Sequence, residues 1–293
     1  MLYVKKNSWI YVFRLAWIPI PLLGYEVFGS ALSSKSGSVQ TTVALSLWIL
    51  WSIVFLISLI PSASLLTVYR VVVPISVVAS IWSSIEAEMN ASSILLLFCS
   101  TICFSISLLP SIGFWFINGS AYGDEVRIPL RAPGPLLLGP IPLAWIVVAS
   151  SLIFSIIFLS SQKYAFGFIV FTIGSGLSYF SYRSLAALSQ RWLVFVPAGV
   201  VLHDNMVLAD PFLIRKSMIK GIGPALASTD GLDLTMSSIG MSLEVELYEP
   251  ANLSLQMNPL APPEVHEVTS FLVSPSMLSV TLEMASSRSI AVL

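Results

Sequence analysis

Charged side chains are scarce in this sequence, and this scarcity argues against an ordinary soluble protein. Only 10% of its 293 residues are Asp, Glu, Lys or Arg, whereas soluble domains carry about 25%. Hydrophobic residues make up 56% of the chain, and the mean hydropathy is +0.89. This composition predicts a protein with a large lipid-facing surface.

Side chains that serve as catalytic bases or metal ligands are also few. The long apolar segments contain neither Asp nor His, which argues against intramembrane serine, zinc and aspartyl proteases. The HExxH, Walker A, GxGxxG and CxxC motifs are all missing. Cys99 and Cys103 share one face of an apolar segment, where packing is expected rather than a disulfide or a metal. The sequence predicts no cofactor and favours a non-enzymatic role.

Six apolar stretches are present in the first two-thirds of the chain. About 20 apolar residues cross the hydrocarbon core of a bilayer as a helix. Four stretches carry no charge: residues 43–60, 93–117, 136–160 and 164–182. Two carry charges near their ends, where long side chains reach the interface: residues 10–28 with Arg14 and Glu26, and residues 64–83 with Arg70. We predict six transmembrane helices in a domain of residues 1–190.

The first stretch, residues 10–28, follows Lys5 and Lys6, an order that a signal peptide also shows. A signal peptide needs a compact, uninterrupted apolar core. Arg14, two prolines and Glu26 interrupt this stretch. We therefore expect a spanning helix here.

Basic residues between the predicted helices are unevenly distributed. With a cytoplasmic N-terminus, eight of them lie on the cytoplasmic side: Lys5, Lys6, Arg14, Arg70, Arg127, Arg131, Arg183 and Arg191. Only Lys35 and Lys163 lie on the opposite side. The positive-inside rule therefore predicts a multi-pass protein of the cell membrane with both termini in the cytoplasm.

Residues 191–293 have a different composition from the rest of the chain. They carry five Lys/Arg and ten Asp/Glu, a net charge of −5, whereas residues 1–190 have a net charge of +4. Short apolar runs predict strands at residues 192–196, 200–203, 206–209, 212–214, 243–248, 253–257 and 268–273. Residues 275–287, with Ser274 as the N-cap, predict a helix. We predict a cytoplasmic α+β domain, mostly antiparallel, whose outline resembles pleckstrin-homology-like domains.

Three stretches carry a resemblance to a known group of proteins. They are NGSAYGDE from Asn118, continuing to Arg131, then GPIPLAW from Gly139, and RWLVFVPAGVVLHD from Arg191, followed by LADP from Leu208. Together they resemble a family of uncharacterised integral membrane proteins of actinobacterial type. The resemblance implies six spans followed by a C-terminal domain, and it implies no activity.

Arg14, Glu26 and Arg70 are the charged residues within the predicted spans. A charge inside a membrane is a candidate functional site. Arg14 and Glu26 are about 18 Å apart along a straight helix, too far to pair. We expect the three to anchor their helices near the membrane surfaces rather than to form a transport site.

The loop at residues 118–135 contains Asp124, Glu125, Arg127 and Arg131. It could dock onto the C-terminal domain, onto a protein partner or onto anionic lipid. It could also be a solvated loop whose arginines set the topology, and this interpretation is favoured.

Two further groups have plausible structural explanations. His203 and Asp204 are adjacent on a predicted strand, so their side chains point to opposite faces and a proton-transfer pair, with or without His266, is not expected. Gly167, Gly174 and Gly176 are expected to allow close packing of helices.

The leading hypothesis is a non-enzymatic membrane scaffold or regulator. Its acidic C-terminal domain favours a protein partner over anionic lipid, and no nucleic-acid partner is expected. The alternative is a small transporter or channel in which Glu26 is the coupling group. A membrane enzyme acting on lipid is a third possibility, for which the sequence offers no catalytic constellation.

Overall fold

The chain divides into two structural units. The computed structural model describes residues 8–226, 228–256 and 261–293, so Lys5 and Lys6 lie outside the described residues. The first unit contains the chain up to Phe116 together with Leu143–Leu185, and the second contains Ile117–Pro142 and Ala186–Leu293. The sequence analysis had placed the whole of residues 1–190 in one domain. In the structure, residues 117–142 group instead with the C-terminal part of the chain.

Helices make up the first part of the chain. They are α1 (Ser8–Trp17), α2 (Ile20–Ala31), α3 (Gly37–Ile57), α4 (Ala63–Glu86), α5 (Ala91–Ser107), α6 (Pro110–Asn118), α7 (Gly134–Leu138), α8 (Pro140–Ser160) and α9 (Tyr164–Ser189). Prolines mark several helix starts, because their fixed φ suits the first helical turn. Pro110 begins α6 and Pro140 begins α8. Asn90 caps α5 by accepting a hydrogen bond from the Ser93 backbone N–H at 2.8 Å.

Within the described parts of the chain, five helical segments are long and apolar enough to cross a membrane. They are α1 with α2, α3, α4, α8 and α9. The helices α5 and α6 together meet the same criterion but are bent by 65°, so the number rises to six if this pair is one span. The structure therefore confirms the predicted helical N-terminal part, with five or six candidate apolar spans.

Aromatic residues form the centre of the first unit. The Trp17 indole N–H donates to the Trp51 carbonyl at 3.1 Å, and the Trp51 indole N–H donates to the Trp17 carbonyl at 2.9 Å. Phe13 is fully buried and lies 5.4 Å from the Trp17 ring and 5.0 Å from the Tyr69 ring. These contacts join α1, α3 and α4.

The described residues of the second unit form eight strands and one further helix. They are β1 (Val126–Pro129), β2 (Trp192–Val196), β3 (Gly199–His203), β4 (Phe212–Arg215), β5 (Ile219–Pro224), β6 (Leu232–Asp233), β7 (Leu243–Leu255), β8 (Glu264–Val273) and α10 (Leu278–Ser287). The strands form two four-stranded sheets, with orders β1-β2-β3-β4 and β5-β7-β8-β6. All pairs are antiparallel except β6 with β8. The predicted antiparallel sheet region is therefore confirmed.

Two backbone bridges connect the sheets. Leu208 bridges to Leu255, and Leu130 bridges to Pro275. The inward-facing side chains of both sheets, including Leu193, Phe195 and Phe271, are fully buried. The two sheets therefore enclose one apolar core.

Several strand boundaries differ from those predicted. Residues 206–209 form a turn and a single bridge rather than a strand. The predicted strands at 243–248 and 253–257 are both parts of β7, which continues through a bulge between Glu246 and Ala251, and Met257 lies outside the described residues. The last helix starts at Leu278, with Met277 rather than Ser274 as its N-cap. The strands β1, β5 and β6 were not predicted.

The strand β1 comes from the segment between two long helices, yet it forms the edge of the sheet built by the C-terminal part. Ile128 pairs with Leu193 on β2 and is fully buried. We expect Ile128→Ala to lower the unfolding free energy of the second unit by about 2–5 kcal/mol, because it leaves a cavity in the core.

The measurement is hydrogen exchange of the β2 amides, by mass spectrometry of the full chain in nanodiscs. Val126→Ala on the same strand is the control, since Val126 is only half-buried, and it should have a smaller effect. Unchanged protection of β2 in Ile128→Ala would show that β1 does not stabilise the sheet.

Candidate functional site

A buried ion pair lies where the last long helix meets the sheets. Arg191 follows α9 directly, and its Nε and Nη2 atoms donate to the two carboxylate oxygens of Asp204 at 2.8 and 2.7 Å. Both side chains are only 2% exposed. The Nη1 atom of Arg191 donates to the Arg131 carbonyl at 3.0 Å. One guanidinium therefore connects the end of α9, the end of β3 and the segment after β1.

The neighbours of this pair complete its hydrogen bonding. The Asp204 Oδ1 atom also accepts from the Met206 backbone N–H at 3.1 Å. The His203 ring points elsewhere, with Nδ1 at 2.9 Å from the Gln190 carbonyl and the ring stacked on Trp192. His203 and Asp204 thus have separate partners, and both fix the connection between α9 and the first sheet.

The segment at residues 118–135 is folded against the C-terminal part of the chain. Asn118 Oδ1 accepts from the Arg127 backbone N–H at 2.8 Å, and Asn118 Nδ2 donates to the Arg127 carbonyl at 2.7 Å. Asn118 therefore binds the polar backbone groups of β1 as a neighbouring strand would. The Arg127 guanidinium pairs with Glu125 at 2.6 Å and lies over the Trp192 ring.

Arg131 and Asp124 add further contacts to the same part of the structure. The Arg131 backbone N–H donates to the Ser274 carbonyl at 2.8 Å. Its Nη1 atom donates to the carbonyls of Ile239 and Met241. The Asp124 carbonyl accepts a hydrogen bond from Arg288. The segment is thus an integral part of the second unit, which differs from the solvated loop favoured from the sequence.

Arg14 and Arg70 in the helical unit bind the carboxyl ends of helices. Arg14 donates to the Ser58 carbonyl at the end of α3. Arg70 Nε donates to the Ser107 carbonyl at the end of α5, at 3.3 Å. The last carbonyls of a helix lack intrahelical donors and carry partial negative charge, so a cation stabilises them. In the structure, these arginines join helices to each other.

Glu26 lies apart from both arginines, at the opposite end of α5. Its Oε2 atom accepts from the Ser92 hydroxyl at 2.6 Å. Glu26 also lines a groove of about 710 Å³ between α2, α3 and α4. The groove requires three helices to come together, and for this reason no local sequence pattern revealed it.

The glycines of α9 have different surroundings. A Cβ atom on Gly174 would lie 2.9 Å from the Ser151 side chain, so α8 and α9 approach closely at this point. Gly176 has no neighbour within 4 Å of such an atom. Close packing therefore explains Gly174 but not Gly176.

No metal centre is found among the described residues, 8–226, 228–256 and 261–293. Within them, no group of three His, Cys, Asp or Glu side chains could hold a metal ion. Cys103 is buried, with its Sγ atom 3.7 Å from the Phe13 carbonyl, and Cys99 is a free thiol. His266 lies near the exposed Glu264, at 3.6 Å.

No protein-family model matches the chain, and neither the curated proteins nor the solved structures contain a significant match. The resemblance to actinobacterial-type membrane proteins therefore stays a prediction. The function is argued from the geometry of this chain.

The buried ion pair yields a direct stability prediction. Asp204→Ala should destabilise the second unit by about 3–5 kcal/mol, because it leaves the Arg191 charge buried without a partner. Thermal unfolding of the full chain in detergent, followed by fluorescence with proteolytic mapping of the sheets, measures this effect.

The double variant Arg191→Met/Asp204→Leu is the matched comparison, since it removes both charges and keeps apolar volume. It should recover most of the lost stability. If the double variant is less stable than Asp204→Ala, the connection between α9 and the first sheet depends on the bond from Arg191 to the backbone rather than on charge pairing.

Proposed function

We propose that this chain is a multi-pass membrane protein of the scaffold or regulator type, without enzymatic activity. Its second unit then serves as a cytoplasmic module that binds an extended, basic segment of a protein partner. The observation that carries this proposal is an unpaired strand edge on β8, flanked by carboxylates.

The sheet pairing supports the membrane arrangement. The strand β1 precedes α8, and its partner β2 follows α9. Two segments in one sheet must lie on the same side of a membrane, so the chain crosses an even number of times between them. The two apolar helices α8 and α9 supply those two crossings.

The bent pair of helices also fits a crossing. At the start of α5, Ser92 bonds to Glu26 near the end of α2. At its end, Ser107 bonds to Arg70 near the start of α4. Because α1 with α2 and α4 are themselves candidate spans, α5 runs from one end of the helical unit to the other. Six crossings then place both termini on one side, and the basic residues make that side cytoplasmic.

The strand arrangement of the second unit supports the predicted resemblance to a pleckstrin-homology-like domain. Two mostly antiparallel four-stranded sheets share one core, and the helix α10 follows the last strand. Domains of this outline often act by binding partners, but a fold does not determine a function. The partner-binding site must therefore be identified from the residues on the surface of this unit.

The first half of β8 has one free edge. Residues 264–269 pair with β7 on one side. On the other side β6 pairs only with Phe271 and Leu272, and no backbone partner for residues 264–269 exists among the described parts of the chain. An open edge of this kind can accept an added strand from another protein.

The charges beside this edge determine whether it would bind an acidic or a basic segment. Glu264 and Glu267 are exposed on β8. On the neighbouring strands Glu246 is already paired with Lys220 at 2.7 Å, and this hydrogen bond raises the pKa of Lys220. The exposed carboxylates of β8 would repel acidic segments and attract basic ones. The net charge of −5 likewise favours a protein over anionic lipid.

The transporter hypothesis receives less support from the geometry. A coupling site is expected near the middle of the membrane. Glu26 bonds instead to Ser92, the second residue of α5, which places it near the end of a span. Arg14 and Arg70 bind helix ends and are not free for transport.

The topology can be tested with single cysteines in a background lacking Cys99 and Cys103. Cysteines replacing Ser34 and Met89 should react with an impermeant maleimide in intact cells, because they lie in the outer turns. A cysteine replacing Ser286 should react only after permeabilisation. All three residues are exposed. Labelling of Ser286 in intact cells would contradict a cytoplasmic module.

The partner site can be tested on the full chain in nanodiscs of neutral lipid. The probe is a fluorescent peptide of alternating Lys and Val, which forms an extended basic strand. The double variant Glu264→Lys/Glu267→Lys should weaken its binding at least tenfold, because it reverses the charge beside the edge.

The control is Asp210→Lys/Glu283→Lys, which changes the net charge equally at exposed positions outside β8 and should leave binding intact. A peptide N-methylated along one edge should also bind weakly, since it cannot pair with β8. If the methylated peptide binds as well as the parent, or if the control variant loses binding equally, the edge is not the site.

A further inference from the structure

The groove between α2, α3 and α4 has a polar end and an apolar end. Its polar lining lies around the turn between α2 and α3, with Glu26, Ser33, Gln40 and Thr41. Its far end is lined by Trp17, Leu50 and Trp51. The groove is therefore amphipathic along its length, which differs from the uniformly apolar surface that helices present to lipid.

The dimensions of the groove match one leaflet of a membrane. From Gln40 to Trp51 the lining of α3 extends about 17 Å, at 1.5 Å per residue. The hydrocarbon core of a bilayer is about 30 Å thick, so the groove is about as deep as one leaflet. A volume of about 710 Å³ lies within the range of sites that hold small molecules.

The groove is open to the surface of the helical unit at its polar end. Tyr25, which lines it, is 83% exposed. The α3 helix contributes seven lining residues, including the small Ala44 midway along the groove. An apolar chain could therefore enter sideways from the hydrocarbon and lie along α3.

The charge at the polar end of the groove determines which kind of polar headgroup a bound amphiphile would carry. Glu26 is the only Asp, Glu, Lys, Arg or His among the residues that line the groove. Its carboxylate accepts a hydrogen bond from Ser92, and among the described residues no basic side chain forms an ion pair with it. Glu26 is exposed, and a carboxylate at the border between water and hydrocarbon attracts a cation. An anionic headgroup would be repelled.

We propose that this groove binds a single-chain amphiphile with an ammonium headgroup, the ammonium group at Glu26 and the chain along α3 toward Trp51. The ligand enters from the surrounding leaflet. This site lies in the helical unit and is independent of the strand edge on β8.

Binding is measured with the full chain in nanodiscs, with empty nanodiscs subtracted to remove partition into lipid. The probes are dodecyltrimethylammonium and dodecanol, which share a chain and differ in headgroup charge. Glu26→Gln should weaken binding of the ammonium probe about tenfold and leave dodecanol unchanged, because the amide keeps the shape and the bond to Ser92.

Two further variants separate the headgroup from the chain. Glu86→Gln removes a carboxylate from the exposed end of α4, outside the groove, and should change neither affinity. Ala44→Trp fills the middle of the groove and should weaken both probes. The proposal is overturned if Glu86→Gln acts like Glu26→Gln, since the effect is then one of general surface charge. It is also overturned if Ala44→Trp leaves both affinities intact, or if Glu26→Gln weakens the two probes equally.

Discussion

The pairing of β1 with β2 is the interaction on which the organisation of the whole chain depends. Through the four residues Val126–Pro129, the segment between α6 and α8 joins the sheet whose other strands follow α9. Asn118 fixes this strand through both polar backbone groups of Arg127. As a result the chain passes between the two units three times, near residues 116, 142 and 185. A C-terminal module attached in this way is held by three connections rather than one.

Several of the few charged side chains in this protein bind backbone carbonyl groups. Arg14 and Arg70 bind the carbonyl ends of α3 and α5, and Arg191 binds both Asp204 and a backbone carbonyl. Carbonyls at helix ends have no intrahelical donor, and leaving them unpaired in an apolar environment is costly. In a chain with so little charge, the arginines thus act chiefly as connectors between segments. Glu26 differs, since it accepts a hydrogen bond from the neutral Ser92 hydroxyl.

Much of this architecture is visible in the sequence, because lipid-facing helices and half-buried strands have strong local patterns. The long apolar runs predicted the helices, and the run at residues 192–196 predicted β2 with its observed bounds. The strand β1 was missed because VRIP is short, contains a proline and pairs with residues more than sixty positions away. The β7 strand was divided in two because Pro250 suggested a turn, whereas the structure accommodates it in a bulge. The groove depends on three helices together, and the free edge of β8 depends on where β6 ends.

The distance along the chain between β1 and its partner has a consequence for how the protein is made. Pro129 is synthesised 63 residues before Trp192, with which it pairs. At about 5–20 residues per second, translation needs roughly 3–13 s to cover this interval. During that time β1 lacks its partner β2 while α8 and α9 are synthesised. In the proposed membrane arrangement, the sheet would form only after α8 and α9 have crossed the bilayer and returned the chain to the side of β1. Completion of the first sheet would then follow the insertion of α8 and α9.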